Sequence, residues 1–170
     1  IQRSRGLGDV YKRQVITDEK EIVSLGGIIG GMKSAVSDET KNVLLEAAYF
    51  DPISIAATGR KLQINSDARY RFERGVDPSF TLSGSHIATK MILDLCGGEA
   101  SDIIIAGSVP SFEKKIIFDP IKVNQLIGIE VNRARQFEIL KSLGFSVKEV
   151  ENKIEIIVPA WRPDVHGEVD

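Results

Sequence analysis

Gly26, Gly27, Gly30 and Gly31 place four glycines within six positions. Such density weakens both helix and strand, so it marks either tight turns in a β-rich region or a close approach of the chain to something else. It is not a dinucleotide fingerprint, because the GxGxxG spacing is absent and no amphipathic helix follows. Glu46 is the one charge among Leu44, Leu45, Ala47 and Ala48. On a strand, alternation either points it at solvent or turns it inward, where an unpartnered carboxylate is costly. Arg60, Lys61, Arg69, Arg71 and Arg74 outnumber Asp67 and Glu73 by five to two. A group of this kind is either a solvated face or a set of contacts to an RNA backbone. Cys96, at the end of an amphipathic stretch and without a nearby His, reads as core packing rather than as a nucleophile. His86 and His166 make no two-histidine metal motif. Asp164, Glu168 and Asp170 are three oxygen donors in one short stretch, read either as surface or as part of a hard-cation site.

The elements that must position these groups follow from local patterns. Val15 to Thr17 and Glu21 to Leu25 are short β-prone runs around a polar turn, leading into the glycine cluster. Val43 to Phe50 reads as a buried strand. Asp51-Pro52 supplies an N-cap carboxylate and a proline at the first helical position, predicting a helix to about Leu62, after which Asn65-Ser66-Asp67 supplies a turn. A second helix is expected from Asp77-Pro78, with Phe80, Ile87, Met91 and Leu95 at helical spacing and a stop at Gly97-Gly98. Ser101 to Ala106 reads as a short strand, and Gly107 to Lys115 as the linker. Beyond it come a strand Ile116 to Phe118, a helix Pro120 to Ile127, and a helix opened by Asn132 and stopped at Gly144. Phe137, Leu140 and Leu143 give that helix its apolar face. Strands Phe145 to Val150 and Lys153 to Val158, joined at Glu151-Asn152, complete the set. Two helices followed by a hairpin suggest a winged-helix-like unit.

Composition bounds the function. With 170 residues, 42% of them hydrophobic, the chain can bury a core, and intrinsic disorder is not expected. A formal charge of −2 gives no global basic signature for nucleic acid or anionic membrane. The single cysteine excludes an intrachain disulfide framework and any Cys-rich zinc site. No apolar run reaches the roughly 20 residues of a membrane span, and no signal-peptide pattern opens the chain, so the expected compartment is the cytoplasm. Residues 1–14, IQRSRGLGDVYKRQ, lack periodicity and carry four basic residues against one acid. They read as a non-native, adaptor-derived leader, the alternative being a basic nucleic-acid-binding arm. The charged stop at Asp170 carries no helix-ending signal, so both ends read as cut.

Taken together, LGGIIGG (25 to 31), SDETKNVLLEAAYFDPISI (37 to 55), NSDARYRFERGVDP (65 to 78), ILDLCGGEASD (92 to 102) and PAWRPDVHGEVD (159 to 170) resemble the bacterial phenylalanyl-tRNA synthetase β-subunit family. The resemblance spans essentially all of residues 15–170. It implies an α+β chain in which 15–108 is the C-terminal part of a mixed α/β tRNA-editing domain. Residues 109–170 would be a winged-helix-like α+β domain leading into the catalytic-like core and truncated. The implied activity is hydrolysis of tyrosine mischarged on phenylalanine tRNA, within an ATP-dependent ligase that pairs with an α subunit as α2β2. The family's editing pocket carries over to Gly27, Gly30, Glu46, Ser66 and Ala68. Its magnesium pattern maps onto Asp164 and Asp170, with two further glutamates falling beyond Asp170. The basic group at Arg60, Lys61, Arg69, Arg71 and Arg74 becomes a candidate tRNA contact.

Two departures bear on activity. Ser66 stands where the family commonly has Thr, keeping the hydroxyl but losing a methyl. The family's editing histidine lies upstream of the matched region, so the isolated chain is expected to be inactive. The alternative reading is a stand-alone, non-catalytic tRNA- or protein-binding module of the same fold. DNA binding by the winged-helix-like unit is disfavoured, because residues 112–170 hold nine basic residues against ten acidic.

Overall fold

The computed structural model describes residues 14–170. The proposed leader, apart from Gln14, lies outside the described residues. The chain divides into two compact units at Pro110/Ser111. Both mix strands with helices, an α+β architecture with two small sheets and five α-helices among the described residues. No helix among the described residues is long and apolar enough to cross a membrane.

In the first unit, β1 (Val15–Thr17), β2 (Ile22–Leu25) and β3 (Ile29–Gly30) form an antiparallel sheet in that order. The glycine cluster makes the β2–β3 turn, closed by the Ile28 N–H donating to the Leu25 carbonyl at 3.0 Å. Gly27 sits at φ +67°, and a Cβ there would meet the Phe50 ring at 2.8 Å and Ile55 at 2.9 Å. The turn therefore needs glycine both for its backbone and for the ring laid against it. Ile28, Phe50 and Ile55 form the small core, with Leu25, Ala48, Ile64 and Phe72 packed around it. Phe50 and Phe72 meet edge to face, with centroids 5.1 Å apart.

Helix α1 (Pro52–Leu62) starts as its sequence requires: the Asp51 carboxylate accepts from the Ser54 N–H at 2.8 Å. The expected turn at Asn65-Ser66-Asp67 is instead the start of α2 (Asp67–Phe72), with the Ser66 hydroxyl accepting from the Arg69 N–H at 3.0 Å. A single 3₁₀ turn at Pro78–Phe80 leads into α3 (Thr81–Cys96), which ends at Gly97. The apolar residues expected to bury this helix do not do so: Phe80, Ile87, Met91 and Leu95 are all exposed, as is Cys96, which packs in no core.

Two expected strands are absent. Residues 41–50 run without helix or ladder, and Leu44 is 92% exposed, so Val43 to Phe50 is neither a paired strand nor buried along its length. Ser101 to Ala106 likewise forms no strand, with Ile104 93% exposed. In both cases strand propensity is present but, among the described residues, no neighbouring backbone pairs with it, and a strand exists only when its N–H and C=O groups find a ladder.

In the second unit, β4 (Lys114–Phe118) precedes α4 (Ile121–Ile127) and α5 (Arg133–Ser142), followed by the hairpin β5 (Ser146–Val150) and β6 (Lys153–Val158). The sheet order is β4-β6-β5, all antiparallel. Asn132 caps α5 by accepting from the Arg135 N–H at 2.8 Å. Ile116, Phe145, Ile154, Ile156, Val158 and Val165 make the core, with Phe137 and Leu140 of α5 packed against it. Leu143, expected on the same apolar face, is exposed.

Candidate functional site

A cleft of about 240 Å³ opens beside the β2–β3 turn. Gly27 and Gly30 form one wall, Ala68 and Phe72 of α2 another, and Glu46, Ala48 and Phe50 of the extended segment a third. Four of the five residues assigned to an editing pocket thus converge on one cavity, although they are spread over more than forty positions of sequence. The Glu46 carboxyl is the only ionisable group among the cleft's lining residues, and among the described residues it has no hydrogen-bond or ion-pair partner. Partial burial against the cleft raises its pKa above the ordinary 4.5, since desolvation disfavours the charged form. A carboxylate in this condition gains from any hydroxyl placed before it.

Ser66 is the fifth, and it does not line this cleft. It faces a neighbouring hollow of about 370 Å³ with Asn65, Asp67 and Arg69. Its hydroxyl donates to the carbonyl of Ile28 while capping α2. One side chain therefore ties the glycine turn to the helix bearing Ala68 and Phe72, and it acts on the cleft through those two elements.

The basic group separates by role. Arg69 is only 13% exposed in its side chain: it pairs with Glu73 at 2.9 Å and donates to the Ile64 carbonyl at 2.7 Å and to Asn65 Oδ1 at 3.0 Å. It lies across buried Gly59, where a Cβ would come within 2.3 Å of its side chain. Arg69 is thus a brace between α1 and α2, with its donors directed inward. Arg74 pairs with Glu73 at 3.3 Å, donates to the Tyr70 carbonyl and lies 3.7 Å over the Tyr70 ring. Arg60, Lys61 and Arg71 are exposed.

The acidic C-terminal stretch is occupied by its own neighbours. Both oxygens of Asp164 lie within 2.9–3.2 Å of the Arg162 guanidinium. Asp170 Oδ2 accepts from the His166 and Gly167 N–H groups at 2.9 Å each. Glu168 pairs with Lys122 and accepts from the Asp119 N–H. Among the described residues no group of three or more His, Cys, Asp or Glu side chains is arranged to hold a metal ion. With a guanidinium on one carboxylate and two backbone donors on the other, Asp164 and Asp170 do not fit Mg²⁺ as they stand.

Phe72 also lines the cleft, but the sequence marks it as a cleft residue only once α2 is recognised. The signal was present in Ser66 followed by Asp67 at the first helical position, an N-cap with an acid in the first turn.

Comparison with known proteins agrees with this two-part organisation. Residues 8–97 match the B3/4 domain model and residues 116–170 the tRNA synthetase B5 domain model. The B3/4 match begins inside the segment set aside as a leader. The chain is 52% identical over 167 residues to the phenylalanine–tRNA ligase beta subunit of Cereibacter sphaeroides, covering 96% of this chain and 20% of that protein. The proteins of that name from Paramagnetospirillum magneticum and Ruegeria pomeroyi are 51% and 49% identical over 156 residues, covering 92% of this chain and 20% and 19% of theirs. The chain spans about a fifth of the length of the curated relatives it matches.

Proposed function

We propose, from the premise that this chain belongs to the B3/4 domain family and carries a tRNA synthetase B5 domain after it, that it is the editing-site segment of a phenylalanine–tRNA ligase beta subunit. The observation that carries this reading is the convergence of Gly27, Gly30, Glu46 and Ala68 on one cleft.

The chemistry follows from what those groups offer. Tyrosine and phenylalanine differ by one hydroxyl. The tyrosyl O–H donates to Glu46, whereas a phenylalanyl ring leaves that carboxylate desolvated and unpaired. Gly30 and Ala68 leave room for the ring beside Phe72. Water adds to the ester carbonyl, the bond to the tRNA ribose oxygen breaks, and that oxygen takes the proton, releasing tyrosine and uncharged tRNA. Glu46 acts in selection, not as nucleophile or base. ATP, magnesium, the phenylalanine tRNA and an α-subunit partner belong to the parent α2β2 assembly, and the exposed Arg60, Lys61 and Arg71 are the candidates for tRNA backbone contact.

The test exchanges residues 15–170 of this chain for the matched segment of the Cereibacter sphaeroides beta subunit and measures deacylation of tyrosyl-tRNA and phenylalanyl-tRNA. Glu46→Ala lowers the tyrosyl preference about 10- to 100-fold, the equivalent of roughly 1.5–3 kcal/mol for a hydrogen bond to a charged group. Because the Glu46 pKa is raised, the unsubstituted preference weakens as pH falls through that value, and Glu46→Gln removes this dependence. An unchanged preference in Glu46→Ala removes the residue from this role. The 170-residue chain alone releases no tyrosine; release by the purified chain overturns the fragment reading in favour of a self-sufficient hydrolase.

A further inference from the structure

Among the described residues, two side chains with hydrogen-bonding groups line the cleft: Glu46 of the extended segment and Ser24 of β2. Every other lining residue is glycine, alanine, aliphatic or phenylalanine, so Ser24 is the one side-chain donor there while Glu46 is ionised. Its place is set by the sheet. β2 is the middle strand, and Ser24 stands directly opposite Gly30 of β3. Residues opposite each other across an antiparallel pair share a face and lie in side-chain contact. The side-chain position of Gly30, also a cleft residue, opens on space, with nothing within 4 Å of a Cβ built there. Glycine at position 30 therefore leaves half-buried Ser24 uncovered from that side, where a larger residue would lie against its hydroxyl.

Glu46 by itself meets only half of what a phenolic hydroxyl requires. Such a group has one proton to give and lone pairs to fill, and a carboxylate only accepts. With its proton given to Glu46, the phenolic oxygen still lacks a donor once the cleft has stripped its water. We propose that the Ser24 hydroxyl is that donor, so that Ser24 reads the phenolic oxygen from β2 while Glu46 reads its proton from the opposite wall. The proposal rests on the editing reading for the identity of the ligand and adds a second specificity-determining residue to it. A phenylalanyl ring then leaves two polar groups unpaired instead of one, which widens the discrimination that a single carboxylate provides.

The test measures deacylation by the full-length chimera of tRNA esterified with tyrosine, phenylalanine or para-aminophenylalanine. An aryl amine donates N–H to a carboxylate, but its lone pair is delocalised into the ring and accepts poorly. The amino ester therefore calls on Glu46 and not on Ser24. Ser24→Ala lowers tyrosyl clearance about 3- to 10-fold, the range of one neutral hydrogen bond, and leaves the other two esters within about twofold of the parent. The unchanged amino ester also shows that the cleft is intact in the variant. Tyrosyl clearance unaffected by Ser24→Ala overturns the contact. Equal loss on the tyrosyl and amino esters does so too, since it marks a general disturbance of the cleft. The two readings fail separately. If Glu46→Ala lowers clearance of both esters and Ser24→Ala of neither, Ser24 falls alone. If Glu46→Ala changes neither while Ser24→Ala keeps its selective loss, the contact from β2 stands and the role of Glu46 falls.

Discussion

At the scale of single residues, the two cleft glycines are used differently. Gly27 has positive φ, and Phe50 and Ile55 crowd the position a Cβ would take, whereas a Cβ on Gly30 meets nothing within 4 Å. Gly27→Ala therefore destabilises the first unit by about 1–3 kcal/mol, through a left-handed backbone and displacement of the Phe50 ring. Gly30→Ala stays within about 0.5 kcal/mol of the parent, as is usual for an uncrowded surface position. Urea denaturation of the two variants checks the contrast, and equal midpoints would show that the turn does not depend on glycine at position 27. Since Gly30 lines the cleft without holding the fold, Gly30→Ala in the chimera reports on cleft volume with little change in stability.

Among the elements, α2 is the one on which the cleft depends most. At six residues it is too short to stand alone, and it is held by the Ser66 cap, by the Ser66 bond to the Ile28 carbonyl and by the Arg69 brace. Ser66→Ala removes both hydroxyl contacts and costs about 1–2 kcal/mol, while Ser66→Thr, which keeps the hydroxyl, costs less. Thermal unfolding followed by circular dichroism orders the three proteins. Ser66→Ala as stable as the parent would show that the cap is dispensable.

Across the whole chain, shifted carboxyl groups make stability depend on pH in both directions. In the second unit, Arg162 holds Asp164, Lys122 holds Glu168, and the His166 and Gly167 N–H groups hold Asp170, each below its ordinary value of 3.8 or 4.5. The unfolded chain takes up protons at the ordinary values and the folded unit only at lower pH. The stability these carboxylates contribute is therefore complete above about pH 5 and is lost as pH falls through their depressed values. Glu46 acts the other way: its raised pKa favours the folded first unit when protonated, and that advantage is lost as pH rises through the raised value. Trp161, the sole tryptophan, lies in the second unit and reports it directly. Its urea midpoint falls between pH 5 and pH 3, and Lys122→Met makes the fall shallower by releasing Glu168. A midpoint independent of pH over that range would show that these pairs contribute nothing to folding.

The sequence by itself determined whatever a few adjacent residues decide. Asp51-Pro52 and Asn132 start their helices, Gly97 ends one, and Glu151-Asn152 turns the hairpin, because caps and turns are satisfied within four or five residues. The ordered series of motifs also pointed to the family, and through it to Gly27, Gly30, Glu46 and Ala68 as candidate pocket residues, which the structure brings to one cleft. Only the tertiary structure decided what depends on a distant partner. Val43 to Phe50 and Ser101 to Ala106 have strand propensity and, among the described residues, no ladder, the apolar stripe of α3 lies bare, and Cys96 is exposed. Arg69 and Arg74, indistinguishable from their basic neighbours in sequence, are spent on Glu73 and on nearby carbonyls. Ser66, equally, is a tie between elements, not part of the cleft wall. Propensity and charge are local properties, but burial and pairing need a second surface, and only the folded chain shows which surface is there.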